Sequence, residues 1–288
     1  MSGARATTHL AGGELIRAFG VRCHAERSPF ASTENARATE IVLPRRGIFV
    51  YEVQGDQVVA DVATVIVIAP GDEYRVGHPV DGGDECVVLT AVPTVLEEVF
   101  ATSRGRHGLR SPATQLALHH LASLGRMAVD PLQADEVGLE LLERIARDIS
   151  RGGTNSEPRM TDVARRQARS VKELLASDPT SAWPIGSLAG EVGCSPYHLA
   201  RLFRRATGTS IHQYLLRLRL AIALGRLAQG ETDLGRLAAD LGFAHHSHFS
   251  ASFRRIFGLT PTQARRSLTV SEWAEMSTFL TAGGRHAA

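Results

Sequence analysis

An internal repeat constrains this chain more than any other feature. SLAGEVGCSPYHLARLFRRATGTS at 187–210 and RLAADLGFAHHSHFSASFRRIFGLT at 236–260 follow one plan. Leu188-Ala189 and Gly193 correspond to Leu237-Ala238 and Gly242. After one inserted residue, Phe203-Arg204-Arg205 and Gly208 correspond to Phe253-Arg254-Arg255 and Gly258. Each copy predicts a short amphipathic helix, a sharp bend where glycine permits positive φ, and a second helix stopped by another glycine. That is a helix-turn-helix, present twice. Between the copies, Ile211, Tyr214, Leu215, Leu218 and Ile222 hold one face of a single connecting helix. About 19 residues of helix span ~28 Å, close to the ~34 Å between successive major-groove faces of a duplex.

In such a unit the second helix reads base edges near its N-terminal end, and neighbouring groups hold phosphate. Ser195 suits an N-cap and Pro196 the first helical turn. With Leu199, Leu202 and Phe203 turned inward, Tyr197, Ala200, Arg201 and Arg204 face outward. In the second copy Phe249, Phe253 and either Ile256 or Phe257 turn inward, leaving His246, Ser247, Ser250 and Arg254. Arg201 fits bidentate contact with guanine, whereas Arg205, Arg254 and Arg255, at the far ends, suit phosphate. The plainer alternative is a helical interaction domain with solvated arginines. Charge weighs against it. Residues 165–268 carry 14 Arg and Lys172 against six carboxylates, a net +9, whereas residues 1–164 carry 16 Arg against 22, a net −6. A basic half beside an acidic one points to a polyanionic partner.

LAGEVGCSPYHLARLFRRATGTSIHQYLLRLRLAIALGRL, followed by DLGRLAADLGFAHHSHFSASFRRIFGLTPTQARR, resembles the DNA-binding domain of the AraC/XylS family of bacterial transcription regulators. The resemblance runs from Thr161 to Arg266. It implies base-reading positions at Tyr197, Ala200 and Arg201 in the first unit and at His246, Ser247, His248 and Ala251 in the second. Alanine at 200 and 251 departs from the long polar residues of some members and leaves apolar contact to a thymine methyl there.

The first half reads differently. IFVYEV (48–53), VVADVATVIVIAP (58–70) and ECVVLTAV (85–92) are short apolar runs broken by Gly55-Asp56 and Gly71-Asp72. They predict an antiparallel barrel or sandwich, while residues 1–37 are poorly patterned. Residues 112–125 and 131–149 have helical spacing, separated by Asp130-Pro131. Strand order and the APGDEY turn (69–74) resemble the cupin-like sensor domains that precede this module in many family members. The expected fold is therefore α+β: a cupin-like β barrel with a helical hairpin over 1–150, a linker over 151–160, an all-α double helix-turn-helix over 161–268 and a tail over 269–288. The apolar faces of the hairpin exceed what one barrel covers, which predicts a homodimer through Leu116, Leu124, Leu141 and Ile145.

Cys23, His24, His78 and Cys86 are the metal or thiol candidates of this half, with buried packing residues as the alternative. If Cys23-His24 lies on a strand, the two side chains face opposite sides. Cys194 falls in the first turn, and His245, His246 and His248 open the second reading helix, where DNA contact outweighs metal binding. Arg17, Arg22, Arg45, Arg46 and Arg75 hint at an anionic ligand. GxSxG, HExxH and GxxxxGK are absent, so no catalytic residue, cofactor or enzymatic activity is expected. The enzymatic rival, a DNA-alkylation repair protein with the same module, needs by resemblance a four-cysteine zinc site beyond its sacrificial cysteine; this chain has three cysteines. No apolar run nears the ~18 residues of a membrane helix and no signal peptide is present. The expectation is a cytoplasmic transcription regulator, an activator, with promoter DNA, RNA polymerase and a small-molecule effector as partners.

Overall fold

In a computed structural model, residues 4–101, 106–124, 130–152 and 160–269 are described. Among the described residues the first half forms ten strands in two antiparallel sheets, the apolar runs among them. One sheet joins β1 (Ala4–Gly12), β2 (Ile16–His24), β9 (Asp84–Ala91), β4 (Glu40–Gly47), β7 (Thr64–Ile68) and β10 (His107–Leu109), in that order. The other joins β3 (Glu34–Asn35), β8 (Glu73–Gly77), β5 (Phe49–Val53) and β6 (Asp56–Ala60). Phe49, Tyr51, Tyr74 and Cys86 belong to the core between them. Gly55 and Gly71 sit in the expected turns with φ of 85° and 82°, values that favour glycine.

Three expectations need correction. The strands do not close into one barrel. The run 58–70 is two strands, because Asp61 accepts hydrogen bonds from Ala63 N and Thr64 Oγ1, both 2.9 Å, and folds a turn that carries the chain from one sheet to the other. Residues 1–37, read as unpatterned, hold the nine-residue β1 and β2. Their pairing is set from a distance: Asp135, far along the chain, accepts from the backbone N–H groups of Glu14, Leu15 and Ile16 at the hairpin turn.

The helical hairpin is present as α2 (Pro112–Leu124) and α3 (Pro131–Gly152), with α1 (Pro93–Phe100) before it. Its role differs from the expected one. Leu116, Leu141 and Ile145 are fully buried and Leu124 nearly so, all inside the protomer. α3 instead exposes Glu136, Glu143 and Arg147. These four apolar side chains are therefore unavailable to a second copy; the chain's own C-terminal helices cover α2, and α3 packs on α2 and on strands β1, β2 and β10.

Those helices are α4 (Asp162–Ser177), α5 (Ile185–Glu191), α6 (Pro196–Thr207), α7 (Ile211–Ala228), α8 (Leu234–Asp240), α9 (His246–Phe257) and α10 (Pro261–Thr269). α2 packs on α7, α9 and α10, so one apolar cluster runs from Ile41 and Leu89 in the sheet through Leu116 to Leu224 and Phe253. A second cluster joins Val62 and Ala63 of the β6–β7 turn to Val171, Leu199, Phe203 and Tyr214. Polar contacts pin this seam. Tyr214 donates to the Asp61 carboxylate, and Lys172 Nζ donates to the Val59 carbonyl at 3.2 Å. Burial holds the Lys172 ammonium below the ordinary lysine range. Residues 153–159, most of the expected linker, and 270–288, nearly all of the expected tail, lie outside the described residues. Among the described residues no helix is long and apolar enough to cross a membrane.

Candidate nucleic-acid interface

The first unit is built as its residues demand. Ser195 is extended, and its hydroxyl accepts from His198 N at 3.2 Å. Pro196 opens α6, and Gly208 closes it in the left-handed region with φ 69°. Leu199, Leu202 and Phe203 are buried. The opposite face is exposed over Tyr197, Ala200, Arg201, Arg204 and Arg205. Tyr197 is 73% exposed, an unusual cost for so large an apolar ring, and the Arg201 guanidinium stands 5.7 Å from its centroid. The pair presents a cation and an aromatic plane side by side. That combination suits base edges and sugar faces.

The second unit repeats the plan with other means. α9 buries Phe249, Ser252, Phe253 and Phe257, which settles the choice between Ile256 and Phe257: Ile256 is only partly covered. His246, Ser247, His248, Ala251, Arg254 and Arg255 are all exposed. Ser250 is half-buried and lies 3.4 Å from a ring nitrogen of His246, so it is a weaker candidate than its spacing suggested. All eleven predicted contact residues, five of them arginines, thus lie on exposed reading-helix faces. In both units the paired arginines occupy the last helical turn, where cations also complement the helix dipole.

Between the units, the 18 residues of α7 give a connector of about 27 Å. A capping box at Ser210 and Gln213 fixes its start. Sequence reasoning missed one residue here. Arg219 on α7 donates to the carbonyls of Pro179 (2.7 Å), Ser181 (2.9 Å) and Gly242 (3.1 Å) and stacks on Phe243. It therefore ties the bend of the second unit to the chain entering the first. Its position inside an arginine-rich helix looked like solvated charge, and only the fold distinguishes it.

Away from this face, strand β2 does place Cys23 inward and His24 outward. Ligand atoms of Cys23, His78 and Asp84 lie within 4.8 Å of one another; Asp84 was missing from the expected set. Cys86 Sγ donates to Asp84 Oδ2 at 3.1 Å. Burial, then the Asp84 charge, push both thiols upward, Cys86 strongly, which disfavours a reactive thiolate. Of the arginines expected to greet an anion, Arg22 and Arg46 pair with Glu85 and Arg75 with Glu52. Arg22, Arg45 and Arg46 nevertheless line a cavity of about 570 Å³ closed on its other side by Leu218, Ile222 and Gly225 of α7.

Residues 188–267 match the family model described as a helix-turn-helix domain. An uncharacterised helix-turn-helix transcriptional regulator of Escherichia coli, YidL, is 35% identical over 101 residues, 35% of this chain and 34% of that one. The E. coli transcriptional activator RhaR is 31% identical over 112 residues, 39% and 37% of the two chains. The chain spans about a third of the length of the curated relatives it matches. A solved AraC-type regulator from Chromobacterium violaceum is 27% identical, with 38% of this chain and 96% of that one covered and a TM-score of 0.35.

Proposed function

From a C-terminal segment that is a helix-turn-helix domain of the AraC type, we infer that the chain is a sequence-specific DNA-binding transcription regulator. The observation that carries this reading is the matched exposure of both reading helices. Each buries its apolar stripe completely and leaves a solvent face whose side chains suit base edges at one end and phosphate at the other. Tyr197, Ala200, Arg201, His246, Ser247, His248 and Ala251 are the readers; Arg204, Arg205, Arg254 and Arg255 are the anchors. Selection of bound duplexes from a random pool tests it. A recovered consensus bound at least a thousandfold more tightly than bulk DNA supports it, and a pool that stays random refutes it.

Regulation follows from the seam. The first half is the sensor, and its effector sits in the 570 Å³ cavity, where α7 meets Arg22, Arg45 and Arg46. A ligand there touches the connector that sets the spacing of the two units. It would thereby reach RNA polymerase as an activator's signal. The chain acts as a homodimer, by a surface other than the buried hairpin face; a single-mass species by light scattering at micromolar concentration would contradict that if it equals one chain. A thermal-shift screen of small anionic metabolites tests the effector, since binding to the folded state alone raises the melting point.

A further inference from the structure

Inside the open end between the two sheets, the register brings unusual chemistry together. Cys23 of β2 stands directly across from Asp84 of β9, and Cys86 lies two residues further on, opposite Val21. All three side chains therefore share one face of the pair. His78, just after β8, joins them: its Nε2 is 2.8 Å from Asp84 Oδ1, and both residues are buried. Cys23 is only half-buried, so the group keeps a path to solvent.

The geometry points to a site for one borderline-soft divalent cation of the zinc class, held by Cys23 Sγ, His78 and Asp84, with Cys86 positioning the carboxylate. The donors are one sulfur, one nitrogen and one oxygen, the mixture that zinc accepts and that magnesium or calcium, which want several oxygens, do not. Their mutual separation of at most 4.8 Å needs only a modest contraction to reach the roughly 3.3–3.8 Å edges of a tetrahedron with zinc-like bond lengths. Three protein ligands leave a fourth position for water or an incoming group. The Cys86 thiol donates to the carboxylate oxygen that does not face His78, and so orients it in the manner of an outer hydrogen-bonding partner. On binding, the Cys23 thiol proton is released to solvent and its sulfur electron pair goes to the metal.

A disulfide is the competing use of two nearby cysteines, and the register argues against it. Diagonal partners in an antiparallel pair have Cα atoms about 7–8 Å apart, beyond the roughly 4.4–6.8 Å that a disulfide spans.

Cobalt(II) titration of the metal-free full-length chain tests the site. One equivalent per chain should bind with a thiolate-to-cobalt charge-transfer band, zinc should displace it, and magnesium and calcium should not. Cys23→Ser should abolish the band, and Cys194→Ser, in the distant first turn, should leave it intact. His78→Ala should weaken cobalt binding at least tenfold. Cys86→Ala should weaken it about 10–100-fold, with Cys86→Ser, which keeps a donor, recovering most of the loss. Should Cys23→Ser fail to fold, zinc protection of the Cys23 thiol from alkylation in the wild-type chain decides the same point. A wild-type chain without the band, a band that survives Cys23→Ser, or alkylation of Cys23 indifferent to zinc overturns the proposal.

Discussion

In the first helix-turn-helix unit a serine hydroxyl caps the reading helix, and the bend at Gly193 has open space around it. In the second, His245 stands at the cap position and makes no side-chain cap bond, and a Cβ placed on Gly242 would lie 2.2 Å from the Thr180 carbonyl oxygen. The first helix thus carries a local start signal in addition to its packing. The second lacks that cap and rests on packing: Phe249, Phe253 and Phe257 of α9 stack in series with Phe243 before it, centroids 5.3, 5.8 and 4.6 Å apart, α2 covers α9, and Arg219 holds the bend. The repeat therefore kept the reading surface twice while placing the second copy under the control of the rest of the chain. A change in the first half has a packed route to one unit through α2, and to the other through the Asp61 turn.

Substitution at the two bends should separate the units most. Gly193→Ala has only the left-handed backbone to pay for, about 1–2 kcal/mol. Gly242→Ala adds a collision with backbone and should cost roughly 3 kcal/mol or more in urea unfolding. Equal losses would show that the second bend is not clamped.

Acid should act on the second unit's support next. Burial pushes His120 on α2 down to about 4 from its ordinary 6.5. A histidine whose folded pKa is depressed favours the neutral form, so its contribution is intact above about pH 6.5 and is lost as pH falls toward 4, by up to a few kcal/mol. Stability measured over that range should decline, and His120→Leu should flatten the decline. An unchanged profile would remove His120 from the account.

Arg219→Met keeps the aliphatic stem but leaves the backbone carbonyls of Pro179, Thr180, Ser181 and Gly242 without their donor, and should cost about 1–3 kcal/mol. Hydrogen exchange should then quicken in α8 and α9 more than in α6. The smallest effects belong to the caps. Ser195→Ala should lose about 1 kcal/mol, and His245→Ser should gain a few tenths to 1 kcal/mol by supplying the missing acceptor. If His245→Ser is neutral, the second helix gains nothing from local order.

The same contrast explains what the sequence made legible. The two units could be read because their information is local: Ser195-Pro196, the glycine bends at 193 and 242, and the Phe-Arg-Arg pairs lie within one short window each. The hairpin helices were legible by their 3.6-residue spacing. β1 and β2 were not, because alternation over Ala4–His24 is diluted by Arg5, Thr7, Thr8 and Arg17, and their turn is fixed by Asp135, more than 100 residues away. The burial of Leu116 and Ile145 against the chain's own helices was invisible for the same reason, since an apolar stripe does not state what covers it. Asp84 escaped the candidate metal set because only the β2–β9 register sets it opposite Cys23.

Footprinting of the full chain on its selected duplex, beside Arg201→Ala and Arg255→Ala, tests the central claim that two differently ordered units read DNA together. Two reading helices on a connector of about 27 Å should protect two major-groove segments about 10 base pairs apart on one face. Arg201→Ala should cost about 1–3 kcal/mol and relax the preference in one segment alone. Arg255→Ala should weaken all sequences alike and lower the salt slope by about one. A single protected segment, or an Arg201→Ala chain with its preference unchanged in both, would contradict the account.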